Sequence, residues 1–135
     1  MTPLLDLGLV DELARVEVAP GDSFLPHFLH TFSRDASATL ERLRARARAG
    51  HIAELAPECH RLKGAAASIG ALRLAEALDE IGAGAETSPP EMLESKIQIA
   101  LGLLYRSSEA ILRYCHVARL RGARPPSRDG CDGAP

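Results

Sequence analysis

One histidine in the middle of this chain stands among residues that suit phosphoryl chemistry. His60 is followed by Lys63 and Gly64, three and four positions on, and by Ala67, seven positions on. A helix advances about 100° per residue, so all three return to the side of His60. The resulting stripe holds one titratable nucleophile, one fixed cation a turn later and two residues with almost no side chain. An imidazole ordinarily titrates near pH 6.5, so around neutrality it is mostly uncharged and offers a nitrogen lone pair. Such a lone pair can attack phosphorus where the approach is open. The product is anionic, and the Lys63 ammonium is one turn away to stabilise it. Gly64 and Ala67 leave room for a partner to bring its own acceptor group within bonding reach. A glycine inside a helix costs about 1 kcal/mol relative to alanine, so Gly64 asks for a reason.

The helix that carries this stripe needs an apolar back. Leu55, Leu62, Ala66 and Ile69 fall about half a turn from His60 and supply it. This helix is expected to begin near His51 or Ile52. Pro57 would then lie inside it, remove one backbone bond and bend it just before His60. Upstream, Leu4, Leu5, Leu7, Leu9, Val10, Leu13 and Val16 suggest a short helix over one end of a core, ended by Pro20-Gly21. Asp22 or Ser23 caps a second, long helix that reaches residue 48. Pro26 is tolerable in its first turn, and Phe24, Phe28 and Phe32 form a core-facing row at four-residue spacing. Gly50 closes that helix. After Gly70 a fourth helix is expected over 71–81, with Leu74, Ala75, Leu78 and Ile81 inward. Gly82, Gly84 and Ser88-Pro89-Pro90 make a loop, and Pro89 or Pro90 starts a fifth helix over 91–117. Its inward positions are expected to be Met92, Leu93, Ile97, Ala100, Leu101 and Leu104.

The expected fold is all-α. Four antiparallel helices run up and down around an Ala/Leu/Phe core, with an additional short N-terminal helix at one end. Residues 1–118 form this single domain. The stretch 119–135 is rich in Gly, Pro, Arg and Asp, has almost nothing to bury and is expected to be a disordered tail.

In the run His60-Arg61-Leu62-Lys63-Gly64, followed by small residues and Gly70-Ala71, the chain resembles the histidine-containing phosphotransfer (HPt) domains of multistep His–Asp phosphorelays. The family pattern is roughly His-x-Leu-Lys-Gly, four or five small or apolar residues, then Gly-Ala. The resemblance extends to the Phe-bearing helix before the motif and the Leu/Ala helix after it, and covers residues 4–117. It implies that His60 is the phosphorylated residue, receiving phosphate from an aspartyl-phosphate on one receiver domain and passing it to the aspartate of another. The implied partners are receiver domains of hybrid sensor kinases and response regulators. They bring the aspartate and Mg²⁺, so this chain binds no cofactor of its own. Part of the Phe-bearing helix is implied to lie beside the phosphorylated histidine and to join the docking surface, to which Gly64 and Ala67 are also assigned. Many relatives place a polar side chain, often Gln, on the next helix near the phosphoryl group. Here that helix offers Arg73, Glu76, Asp79 and Glu80 instead, which leaves phosphoryl stabilisation to Lys63, with Arg61 and Arg73 as further candidates.

Composition excludes several other functions. The formal charge of −2 gives no overall attraction to nucleic acid or an anionic membrane. Arg42, Arg44, Arg46 and Arg48 alternate and so do not share a helix face, and no aromatics interleave with them. They read as a solvated helix end facing the negative C-terminal dipole. Cys59, Cys115 and Cys131 have no metal spacing and are an odd count for disulfides, so reduced thiols and a cytoplasmic location are expected. No apolar run approaches the roughly 20 residues of a membrane span. His27, His30, Cys59 and His116 would be the ligands of an alternative metal site, but their spacing gives no closing pair. No dinucleotide fingerprint or Walker glycine loop occurs, so the chain is read as a phosphocarrier rather than an enzyme, and as a monomer. A binding-only adaptor of the same shape is the remaining alternative.

Overall fold

The computed structural model describes residues 1–122. Five helices account for most of them: α1 (Leu7–Ala14), α2 (Phe24–Arg48), α3 (Leu55–Ser68), α4 (Leu72–Ala83) and α5 (Pro90–Gly122). The last four form an all-α, up-and-down bundle. Its antiparallel sense is fixed by side chains: Arg46 meets Glu54 while Asp35 meets Arg61, and Arg48 meets Glu94 while Ser33 meets Ser108. α3 and α4 form one closely packed pair and α2 and α5 the other. Leu29, Leu40, Leu43, Leu62, Leu78, Ile97 and Leu104 are buried between them.

Two glycines set the corners beside α3. Gly50 (φ +84°) ends α2, and Gly70 (φ +80°) ends α3. At both ends the amide beyond the glycine reaches back to close the last turn, His51 N–H to Arg46 O and Ala71 N–H to Ala66 O. The glycine amides themselves donate to Ala47 O and Ala67 O. This paired closure needs a left-handed residue, which glycine supplies without a Cβ penalty.

The segment before α2 differs from expectation. Helix α1 stops at Ala14, and Pro20-Gly21 does not end it but forms the tip of a minimal hairpin of β1 (Glu17–Ala19) and β2 (Asp22–Ser23). Proline in the first turn position and Gly21 at φ +77° fit a tight turn that single-sequence helix reading passes over. Asp6, rather than any residue singled out beforehand, caps α1 by accepting from Leu9 N–H. Only Val10 of the N-terminal apolar set is fully buried, and Leu7 and Val16 are exposed. Tyr114 Oη donates to Asp11 Oδ1 at 2.6 Å and ties α1 to α5. That bond, followed by Arg15, holds the Asp11 carboxyl below its usual range, and the same bond holds the Tyr114 phenol above its own.

Three further expectations are corrected. α3 begins at Leu55 instead of near residue 51, so Pro57 lies in its first turn, where no intrahelical N–H bond exists to be lost. The expected bend before His60 therefore has no cause. Met92, placed inward by periodicity, is 48% exposed, because the buried stripe of α5 runs through its neighbour Leu93 and on through Ile97, Ala100 and Leu104, which leaves Met92 on the flank. Helix α5 continues through residues expected to begin the tail and ends at Gly122. The remainder of that expected tail, 123–135, lies outside the described residues.

The alternating arginines of α2 are more than a solvated end. Arg42 and Arg46 turn to Glu58 and Glu54 on the α3 side, while Arg44 and Arg48 turn to Gln98 and Glu94 of α5. Alternate residues point to opposite flanks of a helix, so one helix braces both neighbours.

Candidate functional site

Helix α3 turns one face inward and leaves the other bare. Leu55, Cys59, Leu62 and Ala66 are fully buried, and this spacing of four, three and four fixes the helix rotation. His60, Gly64 and Ala67 are consequently exposed, and Lys63 is half-buried at the α4 edge of the stripe. Among the described residues, the His60 imidazole takes part in no hydrogen bond or ion pair. A Cβ built on Gly64 meets nothing within 4 Å, so the space next to the ring is open. Helix α3 gives this stripe rigidity, since its far end is pinned: Asp6 N–H donates to Gly70 O at 2.8 Å, and Val10 packs on Gly70.

The cations near the stripe are already engaged. Lys63 Nζ lies 2.9 Å from Asp79 Oδ1 on α4. Arg61 points the other way, to α2, with Nη1 at 2.7 Å from Asp35 Oδ2 and further bonds to Thr39 and Glu58. Arg73 lies six residues before Asp79 on α4, about 9 Å along the axis. Its Nε donates to Thr2 O at 3.1 Å, at the N-terminal end of the molecule. The structure thus groups His60, Lys63, Gly64 and Ala67, and it turns Arg61 and Arg73 to structural partners. The pairing of Lys63 with Asp79 escaped sequence reading: Lys63 precedes the Gly70 turn by seven residues and Asp79 follows it by nine, but Glu76 and Glu80 flank Asp79 on the same helix and only the packing selects among them. An antiparallel helix hairpin brings such positions level.

Other reactive groups nearby are silent. Cys59, next to His60 in sequence, is fully buried, and burial, with a smaller contribution from Glu58, pushes its thiol up to about 11. It stays protonated near neutrality and does not compete with the imidazole as nucleophile. His27 instead contacts Asp22 at 2.7 Å. Among the described residues no three His, Cys, Asp or Glu side chains gather as a metal would require. Phe24, Phe28 and Phe32 stack in series with centroids 5.5 and 6.3 Å apart, and only Phe32 is fully buried. None of the described helices is long and apolar enough to cross a membrane.

A family model described as Hpt domain matches residues 27–121, from the first turns of α2 to the end of α5. The chain belongs to the Hpt domain family. Members of this family serve histidine phosphotransfer in phosphorelays, and the matched region contains all but the outermost residues of the bundle, together with the His60 stripe. The α1 helix and the β1–β2 hairpin lie before it. No curated protein and no solved structure matches the chain.

Proposed function

We propose that His60 of this Hpt domain is the phosphoryl carrier between receiver domains. The neutral imidazole attacks through Nε2. A P–N bond forms as the P–O bond of the donor's aspartyl-phosphate breaks, and the electron pair leaves on the aspartate carboxylate. The Nδ1 proton stays on the ring, so the product is a phosphoimidazolium, and transfer to the next aspartate reverses these changes. The receiver contributes its aspartate, Mg²⁺ and most of the electrostatic stabilisation that phosphoryl transfer requires. This chain contributes the nucleophile, the Lys63 charge and a shaped surface that aligns the reacting atoms.

The observation that carries the reading is the stripe itself. An imidazole without a partner among the described residues stands exposed on a helix pinned at its far end, beside a glycine with open space around it and a lysine one turn away. No nucleotide motif accompanies it, so phosphate arrives from another domain. Incubation with phosphorylated receiver domains tests this. The chain should acquire an acid-labile, base-stable phosphate, and His60→Ala should abolish it. Because His60 is exposed, helicity and Tm of that variant should be nearly unchanged. Phosphate retained in His60→Ala would move the site elsewhere.

A further inference from the structure

The cation best placed for the phosphoryl group is not free to serve it alone. Lys63 Nζ lies 2.9 Å from Asp79 Oδ1, with the two side chains 39% and 61% exposed. An ion pair in such surroundings is weak, because water screens both charges. A phosphoryl group on His60 would offer the same ammonium a doubly charged anion one helical turn away. The Asp79 carboxylate would then compete for the ammonium and would also repel the new anion, since both converge on one cation. Two other acids share the outer face of α4. Glu76 accepts a hydrogen bond from Thr2 Oγ1 at 2.6 Å, and Glu80 makes no ion pair or side-chain hydrogen bond among the described residues. Asp79 is the acid that reaches the lysine.

We propose that Asp79 is a positioning residue that shortens the lifetime of the phosphohistidine by competing for the Lys63 ammonium. The proposal rests on His60 being the phosphorylated residue. In the resting chain the carboxylate holds Lys63 beside the stripe. In the phosphorylated chain it prevents the ammonium from committing fully to the phosphoryl oxygens, which keeps the P–N bond labile and favours onward transfer. When that bond breaks, its electron pair returns to Nε2 and the oxygen of water or of an acceptor carboxylate bonds to phosphorus.

The test needs no partner protein. Phosphoramidate phosphorylates imidazole directly: its P–N bond breaks, the Nε2–P bond forms and ammonia leaves. After excess reagent is removed, the first-order loss of phosphohistidine is followed by phosphorus NMR on the full chain and on its variants. Asp79→Asn should slow the loss by about 1.5- to fivefold, the range open to a surface charge pair. Glu80→Gln, which removes the same charge one residue away, should leave the rate unchanged. In a Lys63→Met background Asp79→Asn should slow the loss clearly less, since only the direct repulsion remains to be removed. An unchanged or faster loss in Asp79→Asn, or an equal slowing without Lys63, would overturn the proposal while leaving His60 as the carrier. Equal labelling of wild type and His60→Ala would instead remove the assignment of His60, and this proposal with it.

Discussion

Gly64 and Gly70 lie six residues apart, one in the middle of α3 and one just past its end, and the fold makes opposite demands on them. At Gly70 the backbone is left-handed, with φ at +80°. A Cβ there would meet Asp6 O and Val10 Cγ2, each at 3.1 Å. Glycine is what allows α3 to close, α4 to start and α1 to dock on the turn. At Gly64 the backbone is ordinary helix and a Cβ would meet open solvent. Nothing among the described residues asks for glycine at this position, and the helix bears the cost of having one. One glycine is explained by the chain's own packing, and the other, under the proposed function, leaves room for a partner that approaches from outside. A stretch rich in small residues can therefore be part architecture and part recognition surface, and only the surroundings of each residue separate the two.

This comparison can be broken by substitution. The largest effect belongs to Gly64→Gln: a bulky side chain beside His60 should slow transfer from a phosphorylated receiver at least about tenfold, with Tm no lower than wild type, because the added atoms meet only solvent. An unchanged rate would mean that partners approach from another side. Next comes Gly70→Ala, which combines a left-handed alanine with a close contact to backbone. It should lower stability by about 1–3 kcal/mol in denaturant unfolding, while His60 still accepts phosphate where the protein is folded. If Gly70→Ala proved neutral, the docking of Asp6 and Val10 would not be restraining the turn. The smallest effect is Gly64→Ala, which should raise stability by about 0.5–1 kcal/mol, as removal of a helix glycine normally does. A loss of stability there would show that Gly64 has a folding role after all.

The Lys63 and arginine positions add a second lesson. Helical spacing put Lys63 on the His60 stripe, and the structure keeps it at the edge of that stripe. The lack of a Gln on the following helix left Arg61 and Arg73 as further candidates for the phosphoryl group, but charge alone does not say where a long side chain goes. Arg61 is drawn to Asp35, Thr39 and Glu58, and Arg73 to Thr2 O. Both choices depend on which acids and carbonyls the neighbouring segments bring close. Pro57 illustrates a related difficulty: whether it bends a helix or starts one depends on a boundary three residues away, and element ends are where local pattern is weakest.

What the sequence determined by itself is what repeats along one chain. The apolar period placed Leu55, Leu62, Ala66 and Ile69 inward and left His60 outward, and the glycines at 50 and 70 marked where helices stop. These follow from helix geometry and backbone sterics, which act over a few residues. The tertiary structure alone decided what arises between segments. It pairs Lys63 with Asp79 across the hairpin, spreads the α2 arginines to two neighbours, and sets α1 on the Gly70 turn. Such contacts join residues far apart in the chain, and their partners are chosen only when packing of the buried faces fixes how the helices lie against one another.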